Sequence, residues 1–234
     1  MRMSDLLGST VRDLAGRRLG DVHDVRLVQN GPILGSWGAA FTADALLVGP
    51  HAVGVRLGYG RSEIRGPWAV RVTFEAIHGA LDATPWRSIV AIQPGTILVR
   101  EGGQANDGPR DGRVLDAGLE LLDRQILDPD GRMAGNVDDL TLSWRDAAAP
   151  PFVSEILAGP GALARRLGGR LGRWTGAIHQ RLQDQHLEGP ASMGFGIVSH
   201  LDEAVHVTVG YEDLPTYAVE SWVRKRIVDR IPGA

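Results

Sequence analysis

The sequence predicts a mainly β chain, β-rich α+β, made of two tandem domains that each carry a helical insertion. Three observations lead there. A 22-residue segment recurs at a constant offset of 115. A glycine-rich stretch without large apolar residues separates the two halves. Each half holds short runs of apolar residues at period two, bounded by the Asp, Gly and Pro of turns.

The repeat is read first, because a missed duplication misassigns a whole fold. Residues 6–27 and 121–142 share nine of 22 positions: Leu6/Leu121, Leu7/Leu122, Asp13/Asp128, Gly16/Gly131, Arg17/Arg132, Gly20/Gly135, Val22/Val137, Asp24/Asp139 and Leu27/Leu142. Residues 46–58 and 156–168 share seven of 13 at an offset of 110, among them Gly49/Gly159, Pro50/Pro160 and Arg56/Arg166. The ends suggest a further match of Ile89-Val90…Pro94-Gly95 with Ile227-Val228…Pro232-Gly233. A period above 100 residues is a domain, not a solenoid unit. The expected organisation is a first domain over 1–100, a flexible linker over 101–113 and a second domain over 114–234. The linker has four glycines and one proline in 13 residues, a composition of flexible coil.

Each copy opens with a hairpin. Val11 or Ile126 anchors a short strand. Asp13 to Gly16, and Asp128 to Gly131, form the turn: the aspartate bonds backbone amides and the glycine takes positive φ. A second strand follows, with Leu19, Val25 and Leu27 expected on one face and a bend or bulge at Gly20 or Gly135. Phe41 to Val48 supplies another strand. Ile89–Ile92 and Thr96–Val99 pair around Gln93-Pro94-Gly95. In the second copy, Phe195 to Leu201 and Val205 to Tyr211 pair around Asp202-Glu203. Two amphipathic stripes follow Gly-Pro steps: Val70, Phe74, Ile77, Leu81, and Leu163, Leu167, Leu171, Trp174, Ile178, Leu182.

The repeated pattern V-x-D-x-x-G-x-x-L-G-x-V-x-D-V (Val11 to Val25) resembles the PRC-barrel family, named after the cytoplasmic domain of the photosynthetic reaction-centre H subunit and found also in a ribosome maturation factor. Pro85-Trp86-Arg87-Ser88-Ile89-Val90 resembles that family's closing strand. The second copy departs at Ala134, and its C-terminal strand lacks the Pro-Trp pair. The resemblance implies two tandem small β-barrels and a non-enzymatic adaptor that docks a protein partner. It brings no catalytic residues. Asp13, Gly16, Gly20, Asp128, Gly131 and Gly135 are structural positions in it.

Composition narrows the chemistry. The chain has 234 residues, 43% hydrophobic and 23% charged, so a disordered chain is excluded. It has no cysteine, which removes disulfides, thiolate catalysis and cysteine zinc sites. Net charge is −3, distributed as +3, −1 and −5 over the first domain, linker and second domain. The sole lysine beside so many arginines reports a GC-rich coding sequence. No apolar run approaches a membrane span and no signal peptide is recognisable, so the cytoplasm is the expected compartment.

Candidate chemistry is sparse, and neither metal nor cofactor is assigned. Asp128, Asp130, Asp138 and Asp139 lack the spacing of a calcium loop. The seven histidines hold no helical zinc pair. His200 and His206 are expected to face each other across a hairpin, read as surface strand residues. Ser36 and Ser192 lack a nucleophile-elbow context. The feature with most promise is an arginine-rich stretch, Arg165, Arg166, Arg170, Arg173 and Arg181, as a partner- or anion-binding surface. Arg166 recurs as Arg56, which favours a structural role for it. Trp37, Trp144 and Trp222 are candidate interface anchors. The alternatives to a protein adaptor are a ribosome- or RNA-associated factor using those arginines, a small-molecule sensor, and a peripheral membrane subunit.

Overall fold

A computed structural model of the chain describes residues 1–50, 81–100, 111–146, 149–158 and 191–214. The described residues are mainly β, and their strands form two sheets, neither closed into a barrel. No helix among them is long and apolar enough to cross a membrane. The helical stripes lie outside the described residues except for Leu81, which is coil before a strand. So do the linker residues 101–110 and the suggested match at 227–233.

The chain folds into two compact units. Unit 1 takes 1–32, 39–122 and 142–153. Unit 2 takes 33–38, 123–141 and 154–234.

Unit 1 contains β1 (Thr10–Asp13), most of β2 (Arg18–Leu34) and of β3 (Gly38–Gly49), β4 (Asp82–Pro85), β5 (Ile89–Gln93), β6 (Thr96–Val99), β7 (Val114–Asp116) and the single turn α1 (Ala117–Glu120). The central part of its sheet runs β3-β2-β1-β6-β5, with β4 on β3 and β7 on β2. β1 and β6 are parallel, while β1–β2, β2–β7, β3–β4 and β5–β6 are antiparallel. Alternation aims Val11, Ile97 and Val99 inward, where Met3, Leu6, Val22, Leu27, Phe41 and Leu46 complete a core.

The expected face of β2 is corrected at one residue. Leu19 is 41% exposed while Val22, Val25 and Leu27 are fully buried. The register explains it. Val11 pairs with Gly20 but Arg12 pairs with Arg18, so Leu19 is the extra residue of a β-bulge and turns outward.

Unit 2 contains β8 (Gln125–Leu127), β9 (Met133–Asn136), β12 (Ala191–Gly194), β13 (Val198–Leu201) and β14 (Val205–Val207). Parts of β10 (Asp139–Ser143) and β11 (Phe152–Ala158) also belong to it. One sheet runs β13-β14-β8-β9, and β12 pairs with β11. Ile126, Val137, Leu140, Ile156, Phe195, Val198 and Val205 are buried.

Unit 2 repeats several backbone bonds of unit 1. Gly8 N–H donates to Val22 O at 2.8 Å, and Asp123 N–H to Val137 O at 2.7 Å. Val22 N–H returns to Ser9 O, as Val137 N–H does to Arg124 O, both at 2.9 Å. β1 runs parallel to β6, and β8 to β14. Arg100 N–H donates to Ser88 O, and Thr208 N–H to Ile197 O, both at 2.8 Å. The counterpart of the Trp86–Ser88 turn and the β5–β6 hairpin is therefore Phe195–Ile197 with β13–β14. Phe195 takes the place of Trp86, and Gly194 that of Pro85.

Candidate functional site

The acids of the repeated motif are engaged in holding the two opening turns. Asp13 Oδ1 accepts the Arg17 N–H at 2.8 Å, and its Oδ2 takes the Arg17 guanidinium at 3.0 Å. Asp128 Oδ1 accepts the N–H groups of Asp130 and Arg132 at 2.9 and 2.7 Å, and its Oδ2 that of Tyr211 at 3.1 Å. Gly16 and Gly131 donate to the carbonyls of these aspartates and sit at φ +83° and +77°, where a side chain is strained. Burial pushes both carboxyls up, but the bonds to Arg17 in one copy and to Arg132, Tyr211 and Asp130 in the other hold them below the usual range. Gly20 is set by close approach, since a Cβ there would lie 2.7 Å from Gly49 O and 2.9 Å from Val48 Cγ1. Gly135 sits at φ +116°.

A second pair of acids follows. Asp24 and Asp139 are both buried, and each accepts the N–H of the next residue, at 2.6 Å from Val25 and 2.9 Å from Leu140. Asp24 also accepts the N–H of Gly118 at 2.6 Å and of Leu119 at 3.1 Å, tying down the free amides of α1. Burial pushes its carboxyl up to about 7 against the pull of the Gly118, Val25 and Leu119 amides, with Asp116 raising it further.

The copies differ most at the closing hairpins. In unit 1, β5 lies at the end of its sheet among the described residues. Its sequence Ile-Val-Ala-Ile-Gln carries no charge, and Val90 and Ile92 are 46% and 36% exposed. In unit 2 the matching edge strand carries Ser199 and His200. There His200 pairs directly with His206, and the imidazole rings stack with centroids 3.8 Å apart and planes within 13°. Asp202, in the turn, brings Oδ1 to 3.1 Å from His206 Nε2 and Oδ2 to 3.6 Å from His200 Nε2. The Ala204 N–H bond, and after it the two imidazoles, draws the Asp202 carboxyl below its usual range despite some burial.

The expected facing of His200 and His206 is what the register produces. Sequence reasoning assigned Asp202 only to the turn and missed it as the third member. The signal is the spacing His-x-Asp-x-x-x-His around a tight hairpin, which puts all three at one end of one face. Arg165, Arg166, Arg170, Arg173, Arg181 and Trp222 lie outside the described residues. Trp37 is half-buried with its ring edge-on to Phe195, centroids 5.4 Å apart, and Trp144 is exposed. Ser36 donates to Gly196 O at 2.9 Å, a bond within the fold. Neither a scan of protein-family models nor a search of curated proteins finds a match to this chain.

Proposed function

We propose that the chain is a non-enzymatic binding protein, a duplicated PRC-barrel-like module that docks a protein partner in the cytoplasm. The observation that carries this reading is β5. A short uncharged strand at the end of its sheet among the described residues, with two aliphatic side chains outward, offers main-chain groups and apolar side chains to a strand from another chain. Edge strands of monomers are usually blunted by charge, proline or a bulge, and of these β5 has only the bulge at Val90. The exposed residues of its counterpart β13 are Ser199 and His200, so the shared scaffold does not require the exposed aliphatics of β5. The motif acids support the same reading, because both copies engage them in turns and amide contacts.

Quantitative affinity capture from native lysate tests the proposal, comparing the full chain with a Val90→Lys/Ile92→Lys variant of unchanged circular dichroism. The expected result is one stoichiometric protein retained by the wild type and lost from the variant. Identical captured sets, or no stoichiometric protein, would overturn it. RNA binding that falls steeply with salt and vanishes when Arg165, Arg170, Arg173 and Arg181 become alanine would replace it with the RNA reading.

A further inference from the structure

We infer that His200, Asp202 and His206 form a binding site for a first-row divalent metal ion of the zinc class. Two imidazole nitrogens and one carboxylate oxygen lie within 4.8 Å of one another on one hairpin. Tetrahedral zinc, with bonds of about 2.0–2.2 Å, sets its ligand atoms roughly 3.3 Å apart. The His206–Oδ1 and His200–Oδ2 contacts of Asp202, 3.1 and 3.6 Å, are of that order, one to each carboxylate oxygen. The two rings are stacked with nearly parallel planes, so ligation turns them out of the stack until both Nε2 lone pairs meet on one ion, a rearrangement open to side chains that are 58%, 56% and 26% exposed.

The surroundings suit ligation. The Asp202 carboxylate is pinned by the Ala204 N–H at 2.8 Å, and the Asp202 N–H donates back to Ala204 O at 3.1 Å. Ser199 Oγ lies 3.3 Å from His200 Nδ1 and donates to His206 O at 3.1 Å. A ring nitrogen held by a neighbouring group is the usual support of a metal-binding imidazole, and it directs the opposite nitrogen, Nε2, toward Asp202. Imidazole with carboxylate selects borderline ions such as Zn2+, Ni2+ or Cu2+ over Ca2+ or Mg2+. Three protein ligands leave a further coordination position for water or for a group from another molecule.

Comparison of the two copies separates this cluster from the needs of the fold. In unit 1 the same cross-strand pair is Ala91 with Leu98, and the turn position of Asp202 is Gln93. The hairpin forms there without any of the three. All three positions therefore carry ligand side chains in one copy and none in the other, and this inference stands apart from the docking reading of β5.

Titration calorimetry of the untagged full chain with ZnCl2 in chelator-free buffer tests the site, alongside His206→Gln and Asp202→Asn. The expected result is one ion per chain, with affinity lowered at least tenfold in His206→Gln and several-fold in Asp202→Asn. The wild type also carries an independent readout, 15N spectra of the histidine rings, in which two of the seven imidazoles shift with added Zn2+. Absence of binding, equal affinity in all three proteins, or binding that leaves those two imidazoles unmoved would overturn the site.

Discussion

His200 and His206 pair across the β13–β14 turn with their rings 3.8 Å apart, at the register position where Ala91 pairs with Leu98 in unit 1. Two hairpins of matching register, differing by one turn residue, thus present an apolar pair in one copy and an ionisable pair in the other.

Glycine substitutions separate two reasons for the motif glycines. Gly16→Ala and Gly131→Ala meet open space but retain positive φ, so each is expected to cost about 1–2 kcal/mol. Gly20→Ala drives a methyl onto Gly49 O and is expected to cost more than either. Urea unfolding of the three variants checks the order.

The turn acids predict a loss of stability under acid conditions. The folded carboxyls of Asp13 and Asp128 lie below the ordinary value of 3.8, so their stabilisation is present above that value and is lost as pH falls through the folded pKa. Asp128→Ala strands three N–H groups and is expected to lower the urea midpoint more than Asp13→Ala, which loses the amide bonds of Arg17 and Ala15 and one exposed ion pair. Both variants are expected to lose less of their remaining stability than the wild type below pH 4.

Asp24 predicts the opposite slope. Its folded carboxyl holds a proton up to about pH 7, while the unfolded one releases it near 3.8. Between those values the native state binds more protons, so stability falls as pH rises. At about 1.4 kcal/mol per unit the change across the window is on the order of 4 kcal/mol. Asp24→Asn is expected to flatten this part of the curve, as read by thermal unfolding from pH 4 to 7.

What the sequence made legible was local. Asp13-x-x-Gly16 and Asp128-x-x-Gly131 encode their turns within four residues, and both form. Gln93-Pro94-Gly95 and Asp202-Glu203 likewise announce hairpins, which made the facing of His200 and His206 readable. What stayed hidden depends on distant partners. Asp24 caps amides 94 and 95 residues away. β7, placed at the start of the second half, pairs with β2. The repeat offset drifts from 115 at the first hairpin to 110 at β3 and β11, 109 at Trp86 and Phe195, and 108 at β6 and β14. That drift, with Phe195 standing for Trp86, concealed the true counterpart of the closing hairpin. Gly20 marked the bulge to within one residue, but the extra residue is Leu19 itself, and apolar patterning does not say which residue of a bulge turns outward.

The account rests on the two closing hairpins being one scaffold with interchangeable surfaces, and transplanting the cluster tests that directly. The variant Ala91→His/Gln93→Asp/Leu98→His is made in the otherwise unaltered chain, and bound zinc is counted by calorimetry. Two ions per chain are predicted, one on each hairpin. A single ion per chain, with the β5–β6 hairpin still folded by amide exchange, would contradict it.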